Sequence, residues 1–201
     1  MRYIEAVRQR FDTSGFPVFS IEDVRLLLKG KRISNDYLYL LLHNLVHNHE
    51  IKRITKGVYT FHSDAVVVGF AFAPFYYGLE NALAIRNLSE QGTNYTIMTS
   101  RNVRTGVRNF EGRNYRIQKI KKEHMFGYEL VKYGNFWIPV SDVEKTVIDM
   151  LYFNDYIREE LWQAVLKILN TSRLRKYLKV YDQGFRKKVL EAIKIHRHKH
   201  A

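Results

Sequence analysis

Cysteine is absent from the 201 residues, proline occurs only three times, and nowhere do about 18 apolar residues run together. The first absence removes disulfide staples, thiol nucleophiles and any cysteine-containing zinc or iron-sulfur site, and it fits a reducing compartment. The missing apolar run, with charges spread through the opening MRYIEAVRQR, leaves neither a signal peptide nor a membrane span, so a cytoplasmic location is expected. Catalytic signatures are missing too: there is no Walker-type glycine loop, no nucleophile elbow and no serine with an evident base. The one Glu-x-Lys, Glu50-Ile51-Lys52, does not follow spaced acids as a restriction-type nuclease centre requires. No catalytic residue, metal or cofactor is therefore expected.

Positive charge is abundant. Lys and Arg number 33 against 20 Asp and Glu, a net charge of +13, which favours polyanionic partners through long-range attraction and counterion release. The excess is blocky. Residues 1–62 carry +4, residues 101–122 carry +7 and residues 171–201 carry +8, whereas 63–100 and 123–170 carry −2 and −4. At this length the chain can bury a real core in one large or two small domains.

Local signals give the order of elements. Tyr3 to Phe11 supports a first helix, stopped by the turn-forming stretch Asp12 to Pro17. Ser20 caps a second helix, with Glu22 and Asp23 in its first turn and Val24, Leu27 and Leu28 at helical spacing. Lys29-Gly30-Lys31-Arg32 ends it. Ser34-Asn35-Asp36 opens a third helix whose stripe Leu38, Leu41, Leu42 and Leu45 is apolar, with Tyr39, His43 and His47 on the other side. The stretch HNHEIKRITKGVYTF then reads as a hairpin turning at Gly57, where glycine supplies the positive φ of a tight turn. Three short helices and a hairpin form the order of a winged helix-turn-helix, in which the third helix enters the major groove and the wing meets the adjoining backbone.

Beyond it, VVVGFAFAPFYY reads as β-rich, Leu79 to Leu88 as helical, Tyr95 to Thr99 as a strand, and Tyr115 to Ile120 as a strand with one wet basic face. Phe136 to Val140 is expected as the last strand. Ser141-Asp142-Val143-Glu144 is expected as a capping box for the helix EKTVIDMLYF, and the pattern from Asp155 onward is helical. The fold class is α+β: a winged helix over 1–64, a mixed α/β domain over 65–153 and a basic helical region over 154–201.

The DNA-contacting candidates follow from residue chemistry. Helix three has neither Lys nor Arg, so Ser34, Asn35, Tyr39 and His43 suit contact with base edges, while Lys29, Lys31, Arg32, Lys52, Arg53 and Lys56, around Gly57, suit phosphates. The stretch Arg101 to Lys122, with Arg104, Arg108, Arg113, Arg116 and Lys119, reads as a second nucleic-acid surface, a hairpin for an acidic partner protein, or a charged edge strand that prevents aggregation. His43 and His47 have the one-turn spacing of a zinc-binding helix but lack the glutamate of a metalloprotease helix, and are read as a wet or DNA-facing pair. His196, His198 and His200 read as a frayed basic tail. Lys145 and Asp149, four apart, read as a surface ion pair.

Three stretches together resemble the AbiEi family of antitoxin-type transcriptional regulators: Gly57-Val58-Tyr59 in the wing, Tyr76-Tyr77-Gly78-Leu79-Glu80-Asn81-Ala82-Leu83-Ala84-Ile85-Arg86-Asn87-Leu88, and Val140-Ser141-Asp142-Val143-Glu144-Lys145-Thr146-Val147-Ile148-Asp149. The resemblance spans roughly residues 15 to 153, and the family usually shows histidine-glycine where this chain has Arg86-Asn87. It implies a winged helix joined to a second α/β domain, binding double-stranded operator DNA as autorepressor of a type IV (AbiE-like) toxin-antitoxin system and counteracting a nucleotidyltransferase-like toxin. The matched positions for DNA are the helix Ser34 to His47 and the wing Ile51 to Phe61. A solitary transcription factor with a ligand-sensing second domain is the alternative, and so is a nucleic-acid-processing enzyme delivered by its winged helix.

Overall fold

The computed structural model of the chain describes residues 2–13, 15–31, 33–89 and 94–199. Its first unit comprises α1 (Arg2–Phe11), a two-residue strand β1 (Phe19–Ser20), α2 (Ile21–Leu27), α3 (Asn35–His47) and the hairpin β2 (Lys52–Thr55) and β3 (Val58–Thr60). This is a winged helix-turn-helix. Ser20 caps α2 reciprocally with Asp23, and the Ser34 hydroxyl accepts from Tyr37 N at 3.2 Å to cap α3. The leucine stripe of α3 is buried with Val7, Phe11, Phe19 and Val24 in one core. β1 adds to the free side of β3, giving the order β1-β3-β2, and Gly57 turns the wing at φ +75°.

The second unit is a six-stranded mixed sheet, ordered β6-β7-β5-β4-β9-β8. Its strands are β4 (Phe75–Tyr77), β5 (Tyr95–Thr99), β6 (Gly106–Phe110), β7 (Arg113–Lys119), β8 (Tyr128–Tyr133) and β9 (Phe136–Ser141), with α4 (Leu79–Ile85) following β4. The apolar run before Pro74 is not a strand. It forms a 3-10 helix over Ala65–Phe72, opened by Asp64 accepting from Val66 N at 3.0 Å. A run apolar on every side carries no periodicity to separate strand from buried helix, and Gly69 decides the packing here: a Cβ there would lie 2.2 Å from the Phe75 ring.

The two faces of the sheet are covered differently. Tyr77, Ile97, Ile117, Ile138 and Val140 face the 3-10 helix. Tyr76, Met98 and Ile120 face α5 (Val143–Tyr152), α6 (Glu159–Ile168), α7 (Thr171–Leu178) and α8 (Gln183–Lys199), whose Val147, Trp162, Leu174 and Val189 join the same core. Residues between Ile157 and Ile193 thus share one core with the sheet. The tail is also not frayed as far as Lys199: it is helical, and His196 stacks on Trp162 with centroids 4.5 Å apart and lies 3.1 Å from Glu159. His200 lies outside the described residues.

Two further expectations are corrected in α5. Asp142, not Ser141, caps the helix by accepting from Lys145 N at 2.8 Å, while Ser141 bonds Thr146 and Glu144 accepts from Asn170 N at 2.6 Å, at the start of α7. Lys145 and Asp149 do pair at helical spacing, but both are fully buried. The pairing is set by local spacing and the burial by distant aromatic residues: Tyr76 donates to Asp149 at 2.6 Å, and the Phe126 ring lies 5.2 Å from the ammonium.

Candidate nucleic-acid interface

With its leucine stripe buried, α3 turns Asn35, Asp36, Tyr37, Tyr39, Leu40, His43, Asn44 and His47 outward. Asn35, Tyr39 and His43, expected from the sequence as base-contacting groups, are therefore exposed. Leu40 was missed by that reading; at 54% exposure, beside Tyr39 at 57%, it offers an apolar group of the kind that meets a thymine methyl. Helical periodicity carries the signal for it, since Asp36, Leu40, His43 and His47 lie on one ridge directly opposite the leucines. Ser34 is exposed but already employed as the α3 cap. The His43 and His47 rings stack 6.4 Å apart at 19°, and the described residues contain no group of three His, Cys, Asp or Glu able to hold a metal.

The wing is held from behind. Gly57 O accepts from Ile21 N at 3.0 Å, joining the turn to the start of α2, and Ile54 and Val58 pack against the second unit's core. His62, just past the wing, lies edge-on to Phe136 at 4.9 Å. The apolar side of the hairpin is thus spent on packing, which leaves Arg53 and Lys56 exposed and Lys52 half-buried. Among the described residues Arg53 donates only to the wing's own Thr55 O, at 3.4 Å. Lys29 is exposed, and Lys31 sits 5.5 Å over the Tyr3 ring. Among the described residues none of these five cations forms an ion pair, in contrast to Arg8 with Glu50 and Arg25 with Glu22 in the same unit. Arg32 lies outside the described residues.

The second basic stretch is not a single face. β6 and β7 pair antiparallel with Arg108 opposite Tyr115 and Val107 opposite Arg116, so Arg108 and Arg116 point to opposite sides. Arg108 lies over Phe72 at 5.5 Å and donates to Arg104 O at 2.8 Å. Arg116 is half-buried near Asp155 at 3.8 Å. The basic residues of this strand are therefore split between its two sides: Arg116 and Gln118 share one, while Lys119, exposed and bonded to Asn102 at 3.0 Å, lies on the other with Tyr115 and Ile117. Arg101 donates to Ala71 O at 2.9 Å. Arg113 projects at the β6–β7 turn.

No protein-family model matches the chain, and no curated protein matches it. Among solved structures it is similar to the Rv2827c protein from Mycobacterium tuberculosis, with 11% sequence identity over 98% of this chain and 78% of that one, at a TM-score of 0.64. Identity that low carries the fold alone. It does so over nearly the whole chain. No helix among the described residues is long and apolar enough to cross a membrane.

The motifs behind the family resemblance supply contacts inside the second unit. Tyr77 donates to Val66 O and accepts from Gly69 N at 3.1 Å, anchoring the 3-10 helix. Arg86, at the point where the sequence leaves the family pattern, ties the end of α4 to Ser141 O and to Glu129, both at 2.9 Å. Asp142 accepts from Tyr177 at 2.7 Å, and Arg173 lies 3.5 Å from Glu144. Burial pushes the Tyr76 hydroxyl well above its usual range, with the Asp149 carboxylate adding to the rise. It also lowers Lys145 and raises Asp149, each being taken out of water. Most of these groups hold the second unit together; they do not face solvent.

Proposed function

We propose that this protein is a sequence-specific DNA-binding transcriptional regulator that acts by occluding a promoter. The observation that supports the reading is a division of labour in the first unit. Helix α3 has no cation and exposes Asn35, Tyr39, Leu40 and His43, groups suited to base edges, whereas Lys29, Lys31, Lys52, Arg53 and Lys56 carry charge that no carboxylate among the described residues neutralises. A wing with unpaired cations then supplies the electrostatic affinity that a lysine-rich recognition helix would otherwise bring. In this reading the protein works without catalysis in the cytoplasm. The family resemblance extends the proposal to an antitoxin that represses its own operon and neutralises a nucleotidyltransferase-like toxin.

The direct test is fluorescence anisotropy with duplex DNA from the region upstream of the gene, across a salt series. Each phosphate contact contributes about 0.9 to the slope of log affinity against log salt. The variant Arg53→Ala/Lys56→Ala is therefore expected to lower that slope by roughly 1.8 and to weaken binding to all sequences alike. Unchanged affinity and slope would remove the wing from the interface. Co-purification with a nucleotidyltransferase-like protein encoded beside the gene tests the antitoxin extension, and absence of any complex would leave a solitary regulator.

A further inference from the structure

A cleft of about 610 Å³ opens in the second unit, within the roughly 300–1,000 Å³ usual for small-molecule sites. Four separate places supply its walls: Asn81 on α4, Asn94 just before β5, Arg113 and Asn114 at the start of β7, and Lys132 with Tyr133 at the end of β8. The Tyr95 and Tyr133 hydroxyls, 3.2 Å apart, join two of those walls. No acidic residue is among the described residues that line it. Arg113 and Lys132 are both exposed, and neither is paired with a carboxylate among the described residues. Two cations with no acid among the described lining residues match a ligand of about −1.5 to −2 charge, the charge of a phosphomonoester at neutral pH; a monocarboxylate would leave one cation unmatched.

A second observation is independent of charge. Asn81 is only 4% exposed, and its Oδ1 is one of just two buried side-chain polar atoms among the described residues with no hydrogen-bond partner. An unmade bond on a buried amide opposes folding, and such an atom calls for an explanation, a ligand that completes the bond being one. Asn114 Oδ1 already accepts from Asn109 at 3.1 Å, which leaves its amide nitrogen as a donor. Carboxamides both donate and accept, so they match sugar hydroxyls or the edge of a nucleobase.

We propose that this cleft binds a small phosphorylated molecule, a nucleotide or sugar phosphate, with Arg113 and Lys132 holding the phosphate and the carboxamides of Asn81, Asn94 and Asn114 holding the polar remainder. The site is independent of the winged helix, and its test uses no DNA, so the two readings fail separately. Calorimetric titration of the full chain at constant ionic strength would use the four nucleoside 5′-monophosphates, ribose 5-phosphate, adenosine and inorganic phosphate. At least one organic phosphate is expected to bind one to one, about tenfold or more tighter than inorganic phosphate or adenosine, a gap of about 1.4 kcal/mol. A nucleotide preference over ribose 5-phosphate assigns the remainder to a base, and equal affinity assigns it to a sugar. Arg113→Gln and Lys132→Gln, both at exposed positions, are each expected to weaken binding about tenfold without moving Tm. Asn81→Leu is expected to weaken binding while keeping or raising Tm, because it removes the unpartnered amide. Absence of saturable binding by every organic phosphate, affinity unchanged in both charge variants, or inorganic phosphate binding as tightly as the organic phosphates would overturn the proposal.

Discussion

Replacing Lys145 by methionine removes a fully buried cation and leaves Asp149, itself fully buried, with the Tyr76 hydroxyl at 2.6 Å as its remaining strong donor. The rings of Phe126 and Tyr76, which lie 5.2 and 5.5 Å from the ammonium, can accept a thioether in its place, so the loss is electrostatic more than steric. Breaking one side of a buried pair costs about 3–5 kcal/mol. For a chain of this size each kcal/mol moves Tm by about 2–4 °C, so a fall on the order of 10 °C is expected. Burial already raises the Asp149 pKa, and the Lys145 charge opposes that rise; without it the carboxyl takes up a proton at higher pH. Stability linked to a raised folded-state pKa is present at low pH and lost as pH rises through it, so the deficit of Lys145→Met should shrink on acidification from about pH 7 toward pH 5. The double variant Lys145→Met/Asp149→Leu removes both charges and should recover part of the loss, the rest being held back by the buried Tyr76 hydroxyl, which loses its acceptor. Urea unfolding followed by circular dichroism at two pH values measures all of this. A single variant within about 1 kcal/mol of the parent, or a double variant no better than the single, would refute the reasoning.

Two other perturbations test different parts of the fold. His124 is buried, stacks on Tyr181 at 4.1 Å, and has its pKa lowered by burial and then by the Lys145 charge. The unfolded chain therefore takes up a proton near pH 6.5 that the folded chain refuses, and stability should fall as pH drops below about 6.5. His124→Phe, which keeps the stack, should flatten that acid limb in thermal denaturation, and an unaltered limb would contradict the assignment. At Gly57, φ is +75° and an added Cβ would meet only Ile21 at 3.7 Å, so Gly57→Ala should cost about 1–2 kcal/mol through backbone strain alone, with Gly57→Asn milder. Equal stabilities for the alanine variant and the parent in urea unfolding would show that the turn tolerates L-residues.

The first unit was legible because its determinants are local. Ser20 and Ser34 mark helix starts, the leucines of α3 repeat at helical spacing, and Gly57 sits between two short alternating runs. The second unit was legible only where one face differed from the other. VVVGFAFA gave no contrast, and its 3-10 form depends on the rings of Phe75 and Tyr77 closing on Gly69. The spacing of Lys145 and Asp149 gave the contact and not its burial, because Phe126 and Tyr181 come from distant segments. Arg116 looked fully solvent-facing, but Asp155, from the segment between α5 and α6, lies 3.8 Å away and leaves it half-buried. Among candidate site residues, the exposed face of α3 followed from periodicity, with Leu40 overlooked for being apolar. The cleft around Asn81 left no trace in sequence, since its walls come from four segments and none contains a motif.

The central claim, that α3 and the wing together read DNA, is tested most directly by footprinting the purified protein on the region upstream of its own gene across a salt series. Protection of one defined repeat, retained at moderate salt when non-specific binding has been lost and abolished in Arg53→Ala/Lys56→Ala, is the predicted result. Uniform coverage that disappears with salt and never resolves into a protected site, or no protection at any salt concentration, would contradict it.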